Sequence, residues 1–321
     1  MCETSAVSSV AEFVTRVLAI QAESIHLRSA SVSSIAFYRG QADRDWGLAP
    51  RLYRQGLFRQ ERLLGSELLR LAPTEFSGMD YFETLVKMQH YSLPTRLLDM
   101  TLNPLVSLFF ACHGEAQMEK DGAVYILPNL PVFRPDNYAI RLIMKYVFEY
   151  SDPQLDIKAF VDDIIDSRLV PYPFSTEAVV RDLVLHTISK VPYHAILPKL
   201  GNGRIVNQDG AFLLFGMKVR SVKESPNSGT RGRIYYDFDA VGFDNLTEVW
   251  HAAKVIRVPH RQKESILTEL ELLGISWSRL FPELEHQAEH VTKSVARMFA
   301  PPKDGMVSAR IPTMGADFHS K

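Results

Sequence analysis

Gln89 to Cys112 reads QHYSLPTRLLDMTLNPLVSLFFAC, and the fold turns on how this stretch is parsed. Thr84 to His90 has helical spacing, so His90 stands at a helix C-terminus, where the dipole favours a protonated imidazole. Leu93-Pro94-Thr95 follows, with proline fixing the backbone. Arg96-Leu97-Leu98-Asp99 is a short strand-like run with a cation at one end and a carboxylate at the other. After Thr101, Asn103-Pro104 starts a helix, with Asn as its cap and Pro in the first turn, where a missing N–H costs nothing. Leu105, Val106, Leu108, Phe109 and Cys112 are apolar enough to lie inside. A strand, a polar turn and a buried helix thus carry His90, Arg96, Asp99 and Thr101 close together, as a ligand pocket requires. The plainer alternative has Arg96 and Asp99 bridging each other or capping backbone, and Thr95 and Thr101 satisfying turns.

Upstream, Ser9-Val10-Ala11-Glu12 reads as a capping box opening a helix to about Gln21. Ser33 to Tyr38 is a short strand running into Arg39-Gly40-Gln41. Arginine at a strand end presents a planar fork of donors for phosphate or carboxylate, and Gly40 lets the chain turn sharply beside a ligand. Arg44, Arg51, Arg54 and Arg59 follow within sixteen residues, as an anionic pocket lining or as a solvated face. Downstream, Ala123 to Leu127 is a buried strand, and Pro128, Pro131 and Pro135 punctuate a loop. From about 137 to 190 the spacing is helical and reads as an insertion. Its Asp162, Asp163 and Asp166 lack companion ligands for a metal and read as a solvated face. Gly201-Asn202-Gly203 is a turn. Arg204 and Gln208 then lead, on a polar approach, into the strand Gly210 to Phe215. Further strands are expected at 233–238 and 253–258, then a helix from Lys263 to Leu273 closed by Gly274, and a last helix from Pro282 to Met298. The tail, 301–321, lacks periodicity and reads as flexible.

The chain has 321 residues, 46% hydrophobic and 23% charged, an ordinary globular composition. Its 36 basic and 37 acidic residues give a net charge of −1, which withholds the broad basic field of general nucleic-acid binding. Two cysteines make neither a disulfide framework nor a zinc site, and a reducing cytoplasm is the expected setting. No apolar run approaches the ~20 residues of a membrane span, and no signal peptide is expected.

Three runs taken together resemble the FRG domain family of bacteria and their phages. They are Phe37-Tyr38-Arg39-Gly40-Gln41, then Gln89-His90-Tyr91 through Asn103-Pro104, then Arg204-x-x-x-Gln208-x-Gly210-x-Phe212. The resemblance covers roughly 31–127 directly and implies one FRG domain over 31–300, with a helix at 1–30 before it and the insertion at 137–190 inside it. The order of these runs is also similar to ADP-ribosyltransferases of the arginine class. That likeness implies an α+β fold: a mixed or antiparallel sheet core with surrounding helices, acting on NAD with no metal. Arg39 would grip phosphate and His90 and Thr101 would orient ribose or nicotinamide, while Asp99 or Gln208 would support bond breaking. Gly40, Gln41, Thr95, Arg96 and Arg204 would complete the nucleotide site. Where that class carries a glutamate, this sequence has Gln208-Asp209-Gly210. Asp209 is one step out of strand phase. Two readings follow. One is an NAD-consuming enzyme with an unidentified macromolecular acceptor, as a toxin or phage-defence effector. The other is a non-catalytic module sensing a nucleotide or phage component. A nuclease using His90, Asp99 and the arginines ranks below both, because no spaced carboxylates are present to hold a metal.

Overall fold

The computed structural model describes residues 2–4, 6–25, 34–150, 154–171, 176–225, 233–241 and 253–283, with 287–288, 291–292 and 295 beyond. Its strands are β1 (Cys2–Thr4), β2 (Ser34–Gln41), β3 (Leu97–Thr101), β4 (Gly122–Phe133), β5 (Leu155–Asp156), β6 (Tyr193–Ile196), β7 (Gly210–Phe215), β8 (Met217–Glu224), β9 (Ile234–Ala240) and β10 (Lys254–Val258). The helices are α1 (Val10–Ile25), α2 (Arg51–Arg54), α3 (Glu61–Leu71), α4 (Tyr81–His90), α5 (Pro104–Cys112), α6 (Tyr138–Lys145), α7 (Ile157–Asp166), α8 (Glu177–Leu185), α9 (Gly203–Asn207), α10 (Lys263–Leu272) and α11 (Trp277–Leu280). The expected last helix falls mostly, and the tail wholly, outside the described residues.

The α+β mixture and the mixed sheet are as read from the sequence, but the sheet does something further. Its order is β1-β10-β4-β2-β3-β7-β6, and β6 also pairs with β4, so β4, β2, β3, β7 and β6 close a five-stranded barrel. The closing contact is parallel, Val132 beside Ala195 and Phe133 beside Ile196. Those β4 residues lie in the stretch expected to be a proline-punctuated loop. Pro131 is instead a strand residue opposite Ser34, and Asn129 takes a φ of 57° where the long strand passes from one partner to the next.

Strand alternation divides the barrel wall into an inside and an outside. Phe37, Leu98, Met100, Tyr125, Leu213 and Phe215 fill the interior. Leu97, Phe212 and Leu214 face outward onto Phe82, Leu85 and Val86 of α4 and onto the insertion helices. Tyr38, Val124 and Ile126 face α1, α5 and α10 on another flank. The Gly210–Phe215 run is almost wholly apolar because both of its faces are buried. A separate three-stranded sheet, β5-β9-β8, ties the insertion to the later strands.

The helix starts obey local chemistry. Asn103 Oδ1 accepts the Leu105 N–H at 3.0 Å with Pro104 behind it, and Ser9 Oγ accepts the Glu12 N–H at 3.2 Å. The reciprocal bond of that capping box goes to Ser8, whose N–H meets the Glu12 carboxylate at 2.9 Å. Gly274, with φ of 79°, closes α10 as expected.

Gly40 departs from its expected role. The strand runs on through it to Gln41, and a Cβ at Gly40 would stand 1.8 Å from the Ser107 carbonyl oxygen and 2.7 Å from the Ala111 nitrogen. A Cβ at Gly122 on the neighbouring strand would meet the Ala111 oxygen at 2.1 Å. These two glycines are the seat of α5, not a turn beside a ligand.

Candidate functional site

At one end of the barrel β2 and β3 part company. They pair at Tyr38 and Thr101, and Arg39 Nη1 donates to the Asp99 carbonyl at 2.6 Å, a side chain reaching across to a backbone acceptor of the other strand. A cavity of about 260 Å³ opens here, lined by Arg39, Gly40, Gln41, Asp99, Thr101, Arg204 and Gln208 together with Trp46, Phe110 and His113. Seven of the residues singled out from the sequence therefore share one wall.

Each is held by a traceable chain of contacts. Asp99 points out of the barrel, and its Oδ1 accepts from Gln89 Nε2 at 2.6 Å. Gln89 is oriented in turn by the Thr95 hydroxyl, which donates to its Oε1. Thr95 acts here as a support behind Asp99 and does not line the cavity. Thr101 Oγ1 donates to the Gln208 carbonyl at 2.6 Å and accepts the Asn103 N–H at 3.0 Å, tying β3 to the turn before β7. The polar approach expected before β7 is a short helix, α9, capped by Asn202. Gln208 closes it, and its Nε2 is spent on the Leu280 carbonyl at 3.0 Å. Asp209 takes a φ of 46° and accepts from Asn103 Nδ2 at 3.0 Å. The guanidinium of Arg204 lies 4.8 Å from the ring centre of Phe281. That ring ends a stack running from Phe109 through His113 and Trp277, with spacings of 4.9, 4.6 and 4.0 Å. Such a platform holds Arg204 by cation–π attraction while leaving its donors available.

Charge is distributed unevenly. Arg39 and Arg204 supply two cations, and Asp99 is the only carboxylate on this wall among the described residues. Burial pulls the Arg39 pKa down, with nearby Asp99 raising it and Arg54 lowering it further. Two members of the Arg44–Arg59 cluster are engaged elsewhere: Arg59 pairs with Asp237 at 2.7 Å and Arg51 donates to Ser92 O at 3.1 Å.

His90 and Arg96 sit elsewhere. A larger cavity, about 770 Å³, lies beyond Arg204, which lines both, and His90 belongs to that one. The expected imidazolium at the end of α4 is not favoured. Burial and the Arg204 charge lower the His90 pKa. The Asn202 amide, its Oδ1 already committed to the Ile205 N–H, donates Nδ2–H to His90 Nδ1 at 2.9 Å. A neutral ring with its proton on Nε2 follows. Arg96 is fully buried and forks onto Glu61, far from the role of a ligand contact. In sequence, an arginine before an apolar strand looks the same in either role. Trp46, Phe110 and His113 complete the cavity lining, and no motif in the sequence marks them.

Residues 34–120 match the family model described as FRG domain. The chain carries an FRG domain. The matched span supplies Arg39, Gly40, Gln41, Asp99 and Thr101 of the cavity wall, whereas Arg204 and Gln208 lie beyond it. No curated protein and no solved structure matches the chain. No group of three or more His, Cys, Asp or Glu side chains suited to a metal occurs among the described residues, and none of their helices is long and apolar enough to cross a membrane.

Proposed function

We propose that the FRG domain binds an anionic nucleotide in the 260 Å³ cavity, with NAD as its substrate, and that it acts as an ADP-ribosyltransferase-like enzyme or NAD glycohydrolase. The observation that carries this reading is the convergence of Arg39, Arg204, Trp46 and Asp99 on one wall. Guanidinium forks suit phosphate oxygens, and a half-exposed indole suits stacking on a base or pyridine ring. A carboxylate held by an amide suits the positive charge that develops on ribose as nicotinamide departs. In this reaction the C1′–N bond breaks with its electron pair leaving on nicotinamide. A lone pair of water or a macromolecular acceptor then forms the new bond at C1′ and sheds its proton to solvent. Consumption of NAD would suit a toxin or phage-defence effector working in a cytoplasm. The test is incubation of the purified protein with NAD, following nicotinamide release and mass added to candidate acceptors. Asp99→Asn should lower both signals about 10²- to 10³-fold; turnover unchanged by it would remove Asp99 from the reaction.

One observation favours a second reading, nucleotide sensing without turnover. The Gln208 amide is tied to Leu280, so the late strand brings neither charge nor a free amide to the cavity. Calorimetry separates the two, since tight NAD binding with no product over hours supports the sensor.

A further inference from the structure

Arg204 is the one residue that lines both cavities. It stands in the first turn of α9, where Gly203 and Ile205 line the larger cavity, while Gln208, just past the helix end, lines the smaller. A second link crosses the same boundary. Gln89 holds Asp99 of the smaller cavity at 2.6 Å, and the next residue, His90, lines the larger. The two cavities are therefore neighbours with a cation at their junction. That guanidinium rests on the Phe281 ring and has no hydrogen bond or ion pair to a described residue. A cation held without a counter-charge is a ready contact for an anion. Size points the same way. At about 260 Å³ the smaller cavity falls below the ~300–1,000 Å³ that encloses one drug-sized ligand, and a dinucleotide is larger than that. The larger, about 770 Å³, has a floor of buried Phe82, Val86 and Ile205. Its lysines are already engaged, Lys199 with Asp80 and Glu83 at 3.0 and 2.9 Å and Lys87 with Glu75 at 2.9 Å. Such a lining suits an uncharged base and sugar and offers phosphate only the Arg204 end.

We propose that a dinucleotide spans both cavities, with its pyrophosphate on Arg204, its nicotinamide riboside half in the smaller cavity and its adenosine in the larger. Cavity, cation and cavity stand in the order of nucleoside, pyrophosphate and nucleoside. The assignment of ends follows from Asp99, which lines only the smaller cavity and which the bond-breaking end requires. The larger cavity is then an affinity subsite, remote from the reacting bond, that takes adenosine by apolar burial. The inference rests on the nucleotide reading and extends it from one cavity to two.

Calorimetry compares two ligands that cannot release nicotinamide, the carbocyclic analogues of NAD and of nicotinamide mononucleotide, the half without adenosine. The dinucleotide should bind about 10- to 100-fold more tightly, the gain expected from burying one further ring system. Gly201→Trp is the blocking variant, because Gly201 lines the larger cavity and a Cβ there meets nothing within 4 Å. Checked for folding by circular dichroism, it should remove most of that advantage and leave the mononucleotide affinity unchanged. Equal affinity for the two ligands, or an advantage that survives Gly201→Trp, overturns the proposal. Should Gly201→Trp fail to fold, Gly201→Cys is alkylated after folding with a bulky maleimide and compared with the parent treated alike. Binding of neither ligand defeats the nucleotide reading and the proposal with it. Binding of the mononucleotide with no gain from adenosine defeats the two-cavity ligand alone.

Discussion

Arg96 lies fully inside the protein with its guanidinium forked onto the carboxylate of Glu61, Nε standing 2.8 Å from Oε1. Glu61 is itself only 5% exposed and is the first residue of α3. Arg96 also donates from Nη1 to the Phe215 carbonyl at 3.3 Å and sits 5.6 Å over the Phe58 ring. Burial works against its charge, but the Glu61 carboxylate, together with Tyr53 and Tyr146, outweighs it, so its pKa rises. One ion pair thereby pins α3, the start of β3 and the end of β7 together.

Removing one partner leaves an uncompensated charge in the interior. Arg96→Met and Glu61→Leu should each lower stability by about 3–5 kcal/mol, whereas the double replacement should cost far less than the sum. Urea unfolding of the four proteins measures this directly. Simply additive losses would mean that the two side chains do not depend on each other.

Gly40→Ala would drive a methyl group into the backbone of α5, which no side-chain rotation relieves. A loss on the order of 3 kcal/mol is expected from overpacking of this kind. Gly201→Ala is the control, because a Cβ there meets nothing within 4 Å. It should stay within about 0.5 kcal/mol of the parent in the same thermal melts.

Asp99 is exposed, so Asp99→Asn should change stability by no more than about 0.5 kcal/mol. NAD turnover should nevertheless fall about 10²- to 10³-fold, the usual scale for a lost electrostatic contact in a transition state. Gln89→Leu, which frees the Asp99 carboxylate to rotate, should lower kcat by about 10-fold. Steady-state kinetics beside melting curves distinguish these effects from misfolding.

Two histidines make stability depend on pH near neutrality. Burial, then Arg204, depresses His90, and burial depresses His194, whose Nδ1 is buried without a partner. With folded pKa values below the unfolded one, the unfolded chain binds more protons as pH falls through about 6.5, so stability present above that point is lost below it. The urea midpoint should drop between pH 7.5 and 5.5, and His194→Gln should flatten that slope. A midpoint that rises on acidification would contradict both assignments.

Local chemistry in the sequence identified α5 from Asn103-Pro104, β7 from its unbroken apolar run, and the end of α10 from Gly274. The gathering of Arg39, Asp99, Thr101, Arg204 and Gln208 was also legible, because three separated runs carried them in a fixed order. Other features depended on contacts between distant residues. Arg96 needed Glu61 to be recognised as a core residue, and Gly40 needed Ser107 and Ala111 to be recognised as a packing glycine. The prolines of β4 concealed a strand because they sit where ladder donors are not required. The neutral state of His90 depends on its burial and on Arg204, over a hundred positions away.

Closure of the barrel through β6 also sets an order for biosynthesis. Only β2 and β3 lie within the matched 34–120 span, while their neighbours β4, β6 and β7 are made later, with the insertion intervening. As the chain emerges from the ribosome, β4 can cover one edge of β2 early, but the far edge of β3 must wait unpaired until Phe215 has appeared. Such edges invite pairing with other chains, and non-local closure of this sort is slow. A fragment trimmed to 34–120 would hold that exposed condition permanently, so preparations of this protein for ligand work have to carry the polypeptide at least through β7.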